Sequence, residues 1–87
     1  MEDINQYKGR VRAFLSTWIT RDTFGDDDHL FEKGHVNSMM AIDLVLFVES
    51  EFSVTVTNED LSIANFKSVN SIAEFVDKKV NRVEYES

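Results

Sequence analysis

The chain has 87 residues, 43% of them hydrophobic, with no Cys and no Pro. Nine Lys and Arg against sixteen Asp and Glu give a net charge of −7, which excludes the basic surface that nucleic acids and anionic membranes require. One small domain with a real core is expected, without disulfides, a thiolate metal site or a cysteine nucleophile.

The first ten residues begin with acids rather than a basic stretch, so a secretory leader is not expected. No apolar run approaches the roughly 20 residues of a membrane span, and the reading is a soluble, cytoplasmic, monomeric domain. Ile4, Tyr7, Val11, Phe14, Leu15 and Trp18 recur at steps of three and four, which predicts helix I over about 3–20. Lys8, Arg10 and Arg12 fall off that stripe.

From Arg21 to Asn37 the period is lost. Gly25, the run Asp26-Asp27-Asp28 and Gly34 mark a long loop, with Leu30 and Phe31 as its apolar anchors. Loops of this length are often functional. His29 and His35 are the only imidazoles and lie in this loop with no Cys nearby, a poor basis for zinc or hydrolytic chemistry. The three aspartates lack the Gly and terminal Glu of a calcium loop.

Helix II is expected over about 38–52, capped by Asn37 or Ser38. At about 100° per residue, Ala41, Leu44, Val45, Val48 and Phe52 form one stripe. Met39, Ile42 and Leu46 fall on the other side with Asp43, Glu49 and Ser50. That second strip is either covered by the loop or the short third helix, or open as a partner-docking face. Residues 53–57 read as an extended connection. A short helix III is expected over about 59–65, with Asn58 to Asp60 as its cap. Helix IV follows over about 69–82, capped by Ser68 or Asn70, with Val69, Ile72, Ala73, Val76 and Val80 inward and a polar tail from Arg82. The fold class is all-α: a four-helix bundle with one short helix and a long first loop.

Charge is uneven along the chain. Between Gly34 and Phe66 there is no Lys or Arg, and there are five acids: Asp43, Glu49, Glu51, Glu59 and Asp60. This middle third is either a solvated surface or a docking surface for basic partners. Ser38 stands where the loop meets helix II. Unpaired N–H groups and the positive dipole end there favour a phosphate, and no base close in sequence would make the serine a nucleophile. A cap and a covalently attached phosphodiester both fit the position.

The segment from Gly34 to Phe52, with Asn37-Ser38-Met39 at the helix start and Glu49-Ser50-Glu51-Phe52 at its end, resembles acyl carrier proteins. The stretch from Asn65 to Val76 is similar to the closing segment of that family. The resemblance covers about residues 4–82. It implies 4′-phosphopantetheine on Ser38, taken from coenzyme A, a thioester-held acyl group and no catalysis by the chain itself. It implies a phosphopantetheinyl transferase as partner, and an acyl-loading enzyme, dehydrogenase or acyltransferase of a biosynthetic pathway. Asn37, Met39, Ile42, Asp43, Leu46 and Glu49 are the residues expected at the docking face. The family usually has Asp at position 37 and commonly an acid at position 40, where this chain has Met40. Stand-alone carriers of polyketide extender units, of the hydroxymalonyl or methoxymalonyl type, are similar in the helix II segment. A discrete carrier of secondary metabolism is therefore expected, with a peptidyl or aminoacyl carrier and an unmodified interaction module as alternatives. Phe47 is expected to crowd the space between helices II and IV and so to favour a small, polar, three-carbon cargo.

Overall fold

The computed structural model describes residues 3–19 and 24–82, with the backbone alone for 81 and 82. The described elements are α1 (Ile4–Leu15), α2 (Ser38–Phe52), a 3-10 turn (Asn58–Asp60), α3 (Ile63–Phe66) and α4 (Val69–Arg82), with no strand among the described residues. The architecture is the expected all-helical bundle.

Asp3 caps α1 with a capping box: its carboxylate accepts the N–H of Gln6, and the Gln6 side chain returns to the Asp3 N–H. The helix ends at Leu15, five residues before the expected 20. Thr17 and Trp18 donate to carbonyls three residues back, Phe14 and Leu15, at 3.0 and 2.9 Å. The Ser16 and Thr17 hydroxyls take the carbonyls of Arg12 and Phe14. Hydroxyl competition of this kind tightens and closes the last turn. The expected continuation to residue 20 lies partly outside the described residues.

α1 and α4 make the most extensive contact, and α3 lies against α4. Tyr7, Val11 and Leu15 from α1 and Val69, Ile72, Ala73 and Val76 from α4 are buried there, whereas Val80, expected inward, is 38% exposed. Ser68 caps α4, its Oγ accepting the N–H of Ser71 at 3.0 Å. α2 adds Leu44, Val48 and Phe52 to the core, while Ala41 and Val45 are only half-buried. It meets α1 through long side chains: Phe47 stacks on Phe14 at 4.1 Å, Tyr7 meets Phe52 edge-on, and Arg10 pairs with Glu51 at 2.6 Å. Phe47 therefore fills space between α1 and α2, not between α2 and α4.

From Phe24 onward the long first loop is fastened rather than loose. Leu30 is fully buried, and its N–H donates to the Lys67 carbonyl at 2.7 Å. Phe24 and Val36 are buried beside it, two anchors that an aperiodic segment does not reveal. Arg12 reaches from α1 to Asp26 at 2.9 Å and to the Phe24 carbonyl at 3.0 Å. Asn70 donates its backbone N–H to the Asp26 carbonyl and its side-chain amide to Asp27. Gly34, at φ +80, turns the chain back towards α2 in a conformation that other residues rarely adopt.

The expected helix III is two pieces. Thr57, not Asn58, caps the 3-10 turn in a reciprocal pair with Asp60, and Asn58 to Asp60 form the turn itself. Leu61 and Ser62 interrupt the helix before Ile63. Asp60 holds the break in place. Its carboxylate takes Lys79 of α4 at 2.6 Å, and its carbonyl accepts the Asn65 amide at 2.8 Å.

Candidate functional site

Ser38 is the first residue of α2 and is solvent-exposed. Asn37 adopts extended backbone, and its Oδ1 accepts the N–H of Met40 at 3.0 Å, while its carbonyl accepts the N–H of Ala41 at 2.9 Å. The cap thus satisfies one of the donors that a helix start leaves open, without placing a charge there. No acid lies in the first turn of α2, so the dipole end faces the serine unscreened by a carboxylate.

Beside Ser38 opens an apolar groove of about 270 Å³. Ala41 and Val45 form its α2 wall, Phe31 comes from the long loop, and Leu61, Ile63 and Phe66 close the far side. The loop anchors and the broken third helix are what create it. Leu61 and Ile63 are 53% and 60% exposed at its rim. Their period-free setting hides them from sequence reading, and a short run of apolar residues after a cap is the only signal.

The strip expected on the outer side of α2 is open. Met39, Ile42 and Leu46 are 80%, 63% and 56% exposed, so neither the loop nor α3 covers them. Asp43 is exposed among them and has no ion-pair partner among the described residues. Asn37 is exposed at the head of the same face. Glu49 stands apart: half-buried, it accepts the N–H of Val56 at 2.9 Å and pins the connection after α2. Glu51 and Asp60 are neutralised by Arg10 and Lys79. Three of the five acids in the base-free stretch therefore serve the fold, and Asp43 and Glu59 have no ion pair among the described residues.

The other chemistry-bearing residues are structural. Asp26 holds Arg12, and Asp27 holds Asn70. Asp28 caps the loop turn, where the Gly25 N–H, with help from Lys33, holds its carboxyl below the usual carboxylate range. His29 accepts the N–H of Glu32 through Nδ1, and His35 leans on the Phe24 ring. No group of three potential metal ligands occurs among the described residues. No described helix is long and apolar enough to cross a membrane.

A family model described as the phosphopantetheine attachment site matches residues 9–76. The chain belongs to this family. It is a phosphopantetheine-bearing carrier of the acyl carrier type, and the domain is a carrier rather than a catalyst. The family holds 4′-phosphopantetheine covalently, and its members meet a phosphopantetheinyl transferase and biosynthetic enzymes. No curated protein matches the chain. The residues of this carrier fit the group: an exposed hydroxyl at a helix start, no carboxylate in the first turn and an apolar groove alongside.

Proposed function

We propose that Ser38 carries the arm and that this carrier holds a small acyl group for enzymes of secondary metabolism. The observation behind this is the position of Ser38: exposed, first in α2, and on the lip of the apolar groove. The α2 N-terminus favours the phosphodiester by its open N–H groups and dipole. When bound, the arm supplies a terminal thiol that holds the acyl group as a thioester. The chain's own work is positional. Asn37 fixes the first turn of α2 and so the direction of the Ser38 hydroxyl. Phe31, Ala41, Val45 and Ile63 offer the cargo a water-poor wall. Asn37, Met39, Ile42, Asp43 and Leu46 present the face on which the transferase and the acyl-loading enzyme, dehydrogenase or acyltransferase dock, with Glu49 supporting that face from behind.

The short cargo rests on the resemblance to stand-alone carriers, since a groove of about 270 Å³ is also large enough for a medium-length alkyl chain. Phe47 lends no support, since it packs on Phe14 and Phe52. Extender units of the hydroxymalonyl or methoxymalonyl type are the cargo that the resemblance to stand-alone carriers suggests. The carrier works as a cytoplasmic monomer.

The test is intact mass after treatment with a phosphopantetheinyl transferase and coenzyme A. Wild type should gain one arm and Ser38→Ala none. Thermal melts of octanoyl-loaded and malonyl-loaded protein then address cargo. A large stabilisation by octanoyl alone would show room for a long chain and overturn the short-cargo reading.

A further inference from the structure

The chain has no Cys and three Met, so all its sulfur is thioether. Two of the three, Met39 and Met40, directly follow Ser38, and Met1 lies outside the described residues. The fold separates the pair. Met39 is 80% exposed, more than any other large apolar side chain among the described residues, and heads the open strip that continues through Ile42 and Leu46. Met40 is half-buried and packs against the core.

A thioether needs no ionisation to act as a nucleophile, so access governs its reaction with a peroxide. Trp18, the other readily oxidised side chain, is half-buried against Phe14 in a second groove, which lies between α2 and the end of α1 beside Asp43. Access therefore ranks Met39 first, with Met40 and Trp18 behind it. Oxidation turns an apolar side chain into a polar one. At an exposed position the fold is little affected. A partner that covers Met39 loses one apolar contact and must also strip water from the new sulfoxide oxygen.

We propose that Met39 is a redox-modification site through which a peroxide controls the loading of Ser38. The Met39 sulfur donates a lone pair to one oxygen of hydrogen peroxide and the O–O bond breaks. The proton on the transferred oxygen passes to the departing hydroxide, leaving the sulfoxide and one water. Sulfur gives up two electrons and the peroxide takes them. A dithiol-dependent sulfoxide reductase reverses the change, forming a disulfide and releasing water. The proposal rests on the reading that Ser38 takes the arm and that Met39 belongs to the face the transferase meets.

The experiment treats the full, unmodified chain with limiting hydrogen peroxide, removes the excess with catalase, maps the oxygen by peptide mass, and then adds transferase and coenzyme A. Met39 should gain one oxygen before Met40 and Trp18, and the thermal melt should stay in place. The kcat/KM of arm transfer should fall about fivefold, the scale at which a single interface side chain matters. Sulfoxide reductases for both epimers should restore it. Met40→Leu should remain sensitive to peroxide, and Met39→Leu, whatever its own rate, should be indifferent. First oxidation at Met40 or Trp18, an unchanged kcat/KM once Met39 is oxidised, or a peroxide effect that persists in Met39→Leu would overturn the proposal and leave Ser38 as the site of the arm. An untreated chain that gains no arm would overturn the reading of Ser38 itself, and the proposal with it.

Discussion

The two flanks of α2 differ in what builds them. The groove at Ser38 is walled by irregular chain, with Phe31 on the long loop and Leu61, Ile63 and Phe66 around the broken third helix. The groove at Asp43 is walled by two helices whose aromatic side chains meet across it. One is apolar and depends on anchors far away in the chain, such as Leu30 on the Lys67 carbonyl and Asp60 on Lys79. The other is aromatic and acidic and is built from α1, the turn that follows it and α2. Damage to loop anchors should therefore reach the first flank and spare the second, while charge changes on α2 should do the reverse.

The largest effect expected is on modification. Ser38→Ala should abolish arm attachment and keep the fold, since Asn37, not Ser38, caps α2 and the Ser38 hydroxyl makes no hydrogen bond among the described residues. Intact mass and a thermal melt read both halves. A mutant that still gains the arm would move the site, with Ser50, Ser53 or Ser71 next to examine.

Leu30→Ala comes next. A fully buried leucine costs about 2–5 kcal/mol when truncated. Urea denaturation should show that loss, and amide shifts in the folded protein should be larger at Phe31 and Ser38 than at Phe14 and Phe47. Equal shifts on both flanks would erase the distinction drawn between them. Glu49→Ala should cost about 1–2 kcal/mol by leaving the Val56 N–H without its acceptor, and should slow transferase association less than Asp43→Lys does.

Asp60 sharpens the same contrast through pH. The Lys79 ammonium, followed by the Thr57 N–H, holds its carboxyl below the usual carboxylate range. A lowered folded pKa adds stability that is complete above the unfolded value, about 3.9, and is lost as pH falls through the folded one. Wild type should therefore lose stability below about pH 4 more steeply than Asp60→Asn, whose cost near neutrality is about 1 kcal/mol, small because the pair is partly solvated. Melts between pH 2 and 7 would decide it. The smallest effect on stability belongs to Asp43→Lys, within about 0.5 kcal/mol for an exposed site, yet it should slow association with a basic partner several-fold and most at low salt. Stopped-flow kinetics at two ionic strengths would measure it.

The bundle was legible because its helices announce themselves by period and caps: Asn37 and Ser68 each stand before an apolar stripe, and each caps its helix. The position of Ser38 and the existence of a second apolar strip at Met39, Ile42 and Leu46 were legible for the same reason, but whether that strip is covered or open was decided only by the fold. The early end of α1 was not legible, because Trp18 keeps the period after the hydroxyls of Ser16 and Thr17 have already closed the turn. Nor was the role of Glu49, whose position on the wheel is outward until the chain after Phe52 folds back to place Val56 beneath it.

The sequence by itself determined the helical class, the start of α2, the exposed serine there and the acidic, base-free middle, because each follows from local spacing and charge. Tertiary structure alone decided which acids stay available, where Phe47 points and that two unlike grooves flank α2. Those depend on which residues of a distant segment come to rest against a side chain, and an 87-residue string states no such contact. The ion pairs from Arg10 and Lys79, 41 and 19 residues away from Glu51 and Asp60, are the clearest case.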